Sequence, residues 1–519
     1  MGTDSWPLNT FDHVVVLMLE NRSFDNLLGY LYREGMPNKK NFEGVVGKEL
    51  SNPDINGTAI RVSADAEVNQ PYPNPGEEFH HVTMQLFSSP QADNEPKMQG
   101  FVRDYYDTLQ ALRRTVPPWT GSAAEESAKI MRCFAPGTIP VLSQLARKFA
   151  VFDHWFCAVP SQTWGNRAFW HAATSWGWVN NPTISTSGNP WGLDAWACSS
   201  AGPTLFNLLE EKFGSESWRV YADLPIPFTT LIHWGALKDK VGEPNFRYLQ
   251  GGDPFARNFF DDCAAGELPK YSFIEPHFIN FFGNVLWHDD MHPSSFGSRL
   301  YSNGGPGTVL LGDRLIWKVY QALSNSKSQK GNNWWNTLLI ITFDEHGGCF
   351  DHVAPPAATS PDLGDFNTGS GEEGFDFRRL GVRMPVVMVS AHIAPNTIVN
   401  TTMDHCSFLK TVQYKWNLHS LGSRQDAATP FTEVFAGSLR SLDTWPDFET
   451  YPGEQVSFDL KRMREIDLSM IPLNVLQQSI VTGIDEFYAQ ELPGTSVPTN
   501  AKDALELLNR AKYFRFVKG

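Results

Sequence analysis

Two apolar runs in this chain stop in the same way. "HVVVLML" (residues 13–19) passes directly into Glu20-Asn21-Arg22-Ser23, and "NTLLIITF" (336–343) passes directly into Asp344-Glu345-His346. Runs this short and this rich in Val, Ile and Leu read as strands buried on both faces, which is the signature of a parallel sheet. Parallel strands end at a common edge, and ligands bind outside that edge. The oxygen donors of Glu20, Asn21, Asp344 and Glu345 could therefore converge on one divalent cation. Capping of the helices that follow is the plainer reading of either pair alone.

Two more runs, "YSFIEP" (271–276) and "RMPVVMVS" (383–390), also read as buried parallel strands. Helix-like stretches such as "TIPVLSQLARKFAVFD" and "LGDRLIWKVYQALSNS" lie between the runs, so the pattern predicts an α/β fold with helices on both faces of the sheet. A chain of 519 residues has room for one large domain with insertions. Residues 31–100 and 176–260 are rich in Pro, Gly, Asn and Ser and read as long loop excursions around a site rim. From about residue 440 the character changes: "IPLNVLQQSIVTGIDEFYAQ" and "AKDALELLNRAKYFRFV" read as two helices separated by the turn-forming "LPGTSVPTN". The expected organisation is a main domain over 1–440 and a helical C-terminal extension over 441–519 packed on it.

The formal net charge of −15 argues against nucleic acid as a partner, since few cations are left over to neutralise phosphates. A phosphate-bearing substrate stays compatible if the pocket holds a cation. The six cysteines are scattered without a CxxC pair and read as free thiols. No apolar stretch approaches the roughly 20 residues of a membrane span, and the first residues lack the pattern of a signal peptide. The expectation is a cytoplasmic protein, or a secreted one whose export signal has been removed.

A nucleophile candidate lies in "FCAVPSQTWGNRAFWHAATSWG" (156–177). Thr163 follows a Pro-Ser-Gln turn and precedes a helical pattern. A helix N-terminus stabilises an alkoxide and a phosphoryl oxygen alike, and a nearby cation would ease loss of the hydroxyl proton. A simple capping role suits Thr163 and Ser161 equally. Trp155, Trp164 and Trp170 could cage a quaternary ammonium group or fill the core. Histidines cluster with acids: His80 and His81 in "GEEFHHVTMQLF", Asp290 and His292 in "HDDMHPSS", His346, Asp351 and His352 in "DEHGGCFDHVAPP", and Asp404 and His405 in "MDHCSF". An imidazole can contact a phosphoryl oxygen or protonate a leaving alkoxide near neutral pH.

Taken in order, "HVVVLMLENRSFDNLLGYL", "QTWGNR", "DMHP", "FDEHGGCFDHVAPP" and "GVRMPVVMVSAHIAP…DHCSFLKT" resemble the phosphoesterase family, which includes phosphatidylcholine-type and plant non-specific phospholipases C and related bacterial acid phosphatases. The resemblance implies an alkaline-phosphatase-like fold with a central mixed, mostly parallel sheet. It also implies a divalent metal (zinc, calcium or magnesium) held by Glu20, Asn21, Asp344, Glu345 and the nucleophile Thr163, which would form a phosphothreonine intermediate. His81 (in preference to His80), His292 and His352 are the implied catalytic histidines, with Asn166, Arg167, Asp290 and Asp351 toward the substrate. The chain departs from the family's usual motif at Gly165, where Pro is usual, and at Ser161-Gln162, where Gly-Pro is usual. The implied activity is a phospholipase C-like phosphodiesterase touching membranes at most transiently. A broad-specificity acid phosphatase is the alternative, and a non-catalytic phosphate-ligand-binding protein the remote one. The lack of a Cys-x-Pro-x-Arg motif disfavours a sulfatase.

Overall fold

The computed structural model describes residues 6–517 except 37–38, 93–94, 116–118, 184–191, 242–243, 252–256, 283–284, 294–307, 362–370, 436–437, 457–466 and 489–496. Most of the turn expected at 492–500 lies outside the described residues.

Its centre is an eight-stranded sheet. In chain order the strands are β1 (His13–Leu19), β2 (Ala150–Phe152), β3 (Trp218–Tyr221), β4 (Phe246–Arg247), β5 (Tyr271–Ile274), β6 (Thr337–Phe343), β7 (Val386–Val389) and β8 (Thr397–Val399). Their spatial order is β8-β2-β7-β6-β1-β5-β3-β4. The sheet is parallel except for β7, which runs antiparallel to both β6 and β2. This is the α/β sheet that the sequence pattern predicts, mixed and mostly parallel as the family resemblance implies.

The expectation that 383–390 forms a parallel strand is corrected, because β7 is reversed. Its four residues are all buried, as are those of its parallel neighbours, and hydrophobic pattern reports burial but carries no information on direction. The loop reading of 176–260 is corrected as well, since that segment supplies β3 and β4. Strands of four and two residues are too short to show a period. The tail of "TIPVLSQLARKFAVFD" likewise leaves its helix, Pro140–Lys148, and becomes β2.

The register of β1 against β6 positions the site. Seven rungs pair His13 with Thr337 through to Leu19 with Phe343, so both strands end level and Glu20-Asn21 emerges beside Asp344-Glu345. Every residue from Val14 to Leu19 is inaccessible to solvent, and the core around it includes two contacting helix pairs, Pro140–Lys148 with Val309–Asn325 and Thr163–Ala172 with His405–Trp416.

A second apolar cluster lies behind the helix that begins at Thr163. Trp164 and Ala168 pack there with Trp196, Phe228 and Phe278, and with Leu476, Ile480 and Ile484 of the helix Val475–Phe487. Trp164 Nε1 donates to Ser479 Oγ at 3.0 Å, and Ala501–Val517 packs into the same cluster. Residues beyond 440 reach the main core too, through Trp445, Phe448 and Tyr451. Trp155, Trp164 and Trp170 are all fully buried, so they are core and not a cage. No helix among the described residues is long and apolar enough to cross a membrane.

Ile480 is fully buried in this cluster. Ile480→Ala is expected to lower the unfolding free energy by about 2–5 kcal/mol, the usual cost of such a cavity, measured as a lower denaturant midpoint with an unchanged slope.

Candidate active site

The parallel strands deliver their following residues to one edge of the sheet. From β1 come Glu20 to Asp25, from β6 Asp344 to His352, from β2 the loop to Thr163, from β5 the segment to His292, and from β8 Asp404 and His405. Because β7 runs backwards, its preceding residue Arg383 reaches this edge as well.

Thr163 opens the helix Thr163–Ala172, with Gln162 at the N-cap and no side-chain cap. The Thr163 hydroxyl therefore does not cap; it donates to Glu20 Oε2 at 3.2 Å. The turn before it is held by Asn166, whose Oδ1 accepts from Val159 N at 2.9 Å and whose Nδ2 donates to the carbonyls of Val159, Ser161 and Gln162. Arg167 donates Nε to Glu20 Oε1 at 2.8 Å, adds a close Nη2 contact to the same oxygen, and reaches the Met18 carbonyl at 3.0 Å. Both side chains thus spend their hydrogen bonds on the turn before Thr163, on the Glu20 carboxylate and on the end of β1.

Opposite Thr163, the two strand ends interlock. Asn21 N donates to Asp344 Oδ1 at 3.0 Å, and Arg22 N to the Glu345 carbonyl at 3.1 Å. Asn21 sits at φ 54°, a left-handed conformation that Asn tolerates better than most residues. Gly347 (φ +61°) packs so close that a Cβ there would lie 2.3 Å from the Asn21 carbonyl oxygen, so glycine is required. Glu345 Oε2 accepts from Gly347 N at 2.7 Å. His405 Nε2 lies 2.7 Å from the Asp344 carbonyl oxygen, and Asp404 caps the helix His405–Trp416 while pairing with Arg424. His405 and Asp404 thus support the site from behind.

Several atoms here are buried without a hydrogen-bond partner among the described residues: Asn21 Oδ1, Asp344 Oδ2, Glu345 Oε1, Asp290 Oδ2 and His292 Nε2. Buried polar atoms are normally paired, and each orphan costs about 1–3 kcal/mol. The orphaned donor set is dominated by oxygen, with one imidazole nitrogen nearby, and fits a divalent cation. Burial, reinforced by Asp344, pushes the Glu345 carboxyl well above its ordinary range. Burial does the same to Glu20, against the pull of Arg167. A local positive charge would relieve both.

Asp290 and His292 stand on the neighbouring wall. Asp290 Oδ1 accepts from His292 N at 2.9 Å and lies 2.6 Å from His288 Nδ1, and Glu20 N donates to the Asp290 carbonyl at 2.7 Å. Burial drives His292 down to about 4, so its ring is neutral.

His81 is not in this group. It lies on the helix Phe79–Phe87 with Nδ1 2.8 Å from Asp104 Oδ1, and His80 is exposed with its ring against His81. The segment's contribution to the site is Glu77, two residues before that helix, which the sequence pattern did not single out. Its Oε2 accepts from Asn21 Nδ2 at 2.6 Å and lies 3.6 Å from His292 Nε2, and its Oε1 is 3.5 Å from Gln162 Nε2. Burial, with Glu78 and Asp344 adding to it, pushes Glu77 up to about 8. The available signal was an acid directly after a Pro-Gly turn.

Asp351 and His352 belong to a different cluster. Arg383 donates to Asp351 Oδ1 at 2.9 Å and to Asp25 Oδ1 at 3.0 Å. His352 Nδ1 is 2.5 Å from Asp25 Oδ2, and Nε2 is 2.9 Å from Glu43 Oε1. Among the described residues, Asp25, Asp351 and His352 alone bring three Asp, Glu, His or Cys ligand atoms within 4.8 Å of one another. The guanidinium of Arg383 already neutralises these carboxylates, however, and both carboxylates are fully hydrogen-bonded. The cluster is an ion-pair network, and Asp351 and His352 are both part of it.

The family model described as "Phosphoesterase family" matches residues 11–419. Over 450 residues the chain is 34% identical to "Non-specific phospholipase C6" of Arabidopsis thaliana, covering 83% of this chain and 73% of that protein. It is 30% identical to "Non-specific phospholipase C1" of the same plant, over 81% and 70% of the two chains. It is 25% identical to "Phospholipase C A" of Mycobacterium tuberculosis, over 79% and 74%.

Removing Arg383 strands two buried carboxylates, so Arg383→Met is expected to cost about 3–5 kcal/mol in denaturant unfolding. The same network makes stability depend on pH. Despite burial, Asp25 and its neighbours hold His352 above its ordinary 6.5, and despite burial, Arg383 and His352 hold Asp25 below its ordinary 3.8. The His352 contribution is complete below pH 6.5 and lost as pH rises through the folded value, whereas that of Asp25 is complete above pH 3.8 and lost as pH falls through its folded value. The stability gap between wild type and His352→Gln is expected to be largest near about pH 5 and to narrow on the alkaline side; a gap that widens above neutrality would contradict this.

Proposed function

The chain belongs to the phosphoesterase family and is a phosphoric ester hydrolase, and from that premise we propose that it is of phospholipase C type and cleaves phosphodiesters through a covalent phosphothreonine at Thr163, on an alkaline-phosphatase-like fold. The observation that carries the reading is the Thr163 hydroxyl at a helix N-terminus, hydrogen-bonded to Glu20 and close to strand ends whose oxygens include several without partners among the described residues.

Thr163 Oγ attacks phosphorus. The Oγ–P bond forms as the bond to the leaving alkoxide breaks, and the alkoxide takes a proton from solvent. Glu20, which accepts the hydroxyl's hydrogen bond, takes the Thr163 proton and returns it when water cleaves the phosphothreonine. Arg167 keeps Glu20 aimed at the hydroxyl, and Asn166 keeps the turn in register with it. The free N–H groups at the start of the Thr163–Ala172 helix favour negative charge on the phosphoryl oxygens. Asn21, Asp344 and Glu345, with Glu20 and Thr163, would hold a divalent cation, which when bound supplies positive charge toward the phosphoryl group and eases ionisation of the hydroxyl. The relatives named as phospholipases C support a phospholipid diester as substrate.

Thr163→Ala is expected to retain its fold and lose at least about 1,000-fold in turnover, as befits deletion of a covalent nucleophile; near wild-type activity would refute the scheme. A panel of p-nitrophenyl phosphate, p-nitrophenyl phosphocholine and phosphatidylcholine, each with and without chelator, tests the rest. The diesters are expected to turn over faster than the monoester, and chelation to suppress all activity until a divalent metal is restored. A faster monoester would make the protein a phosphatase.

A further inference from the structure

We propose that Glu77 and His292 hold a second divalent cation, completed by a phosphate oxygen of the substrate, beside the Asn21–Asp344–Glu345 set. The inference rests on the reading of this edge as a phosphoryl-transfer site. It starts from the tautomer of His292. Nδ1 lies 2.7 Å from the Pro293 carbonyl oxygen, which can only accept, and 3.5 Å from the Asn474 side-chain amide; the far shorter contact assigns the hydrogen to Nδ1, so Nε2 presents a lone pair. Nε2 is buried and has no hydrogen-bond partner among the described residues. Glu77 Oε2, another acceptor, lies 3.6 Å away.

Two lone pairs thus face each other in a buried space. The hydrogen-bond donors to Glu77 are the side-chain amides of Asn21 and Gln162, and no Lys or Arg pairs with it among the described residues. This geometry suits a metal ion. Two cis ligands at ordinary zinc bond lengths are about 3.3 Å apart, so the pair needs to close by only a few tenths of an ångström. An imidazole whose other nitrogen donates to a backbone carbonyl is a common metal ligand. One nitrogen and one oxygen favour zinc or a similar borderline cation. The two protein ligands leave positions open for phosphate oxygens. Asn21 links the two positions, since its Nδ2 holds Glu77 while its Oδ1 is unpartnered on the side of the strand ends.

The test is equilibrium dialysis of the full chain against zinc in the presence of inorganic phosphate, with bound metal counted by mass spectrometry and folding checked by circular dichroism. Wild type is expected to take up two equivalents, Glu77→Gln one, and the Asp344→Asn/Glu345→Gln double variant to lose the other. His292→Gln repeats the measurement should Glu77→Gln fail to fold. A proton shared between the two atoms is the competing occupant and gives no second equivalent. One equivalent in both wild type and Glu77→Gln, lost only in the double variant, overturns the second position and leaves the first standing. None in wild type overturns both.

Discussion

The site depends on the pairing of two parallel strands. Seven rungs join β1 to β6, from His13 with Thr337 to Leu19 with Phe343. A slip of one residue would exchange the faces of every side chain, and with both faces buried no slipped register keeps the core packed. That rigidity matters because the residues just past the strand ends form an electrostatically unfavourable group. Glu20, Asp344 and Glu345 are fully buried together and repel one another. The apolar strands supply the stability that keeps them adjacent.

Buried carboxylates at this edge are handled in two ways. Asp25 and Asp351 share Arg383, and Glu20 is gripped by Arg167. These pairs are neutralised and hydrogen-bonded, the condition under which buried charge is tolerated. Asp344, Glu345 and Glu77 have no Lys or Arg partner among the described residues, and their neighbourhood collects the orphaned atoms of Asn21, Asp290 and His292. Burial without compensation is costly for a fold that gains nothing from it, and such spots are where function concentrates.

Much of this was legible in the residues. The two apolar runs and their polar endings disclosed the strand pair, the shared edge and the grouping of Glu20, Asn21, Asp344 and Glu345. The Pro-Ser-Gln turn before "TWGNR" disclosed the helix start at Thr163. Three things were hidden for physical reasons. The direction of β7 leaves no trace in a run buried on both sides. The short strands β3 and β4 are set by pairing with neighbours and not by any local pattern. The partners of the histidines were hidden because proximity to an acid in sequence says nothing about where a ring points: His81 turns to Asp104 and His352 to Asp25, while the buried acid at 77 sits in a stretch that reads as loop.

The reversal of β7 also bears on how chains of this kind can diverge in length. The connection from β6 leaves the working edge and must come back to the same edge before β7 begins. Its last residues, with Arg383 planted between Asp25 and Asp351, are therefore anchored as firmly as the strands. Insertions and deletions are free to accumulate in the middle of that connection, but the anchor holds its final residues to a fixed position. Drift in this segment is expected to stop short of Arg383, however different the intervening lengths become.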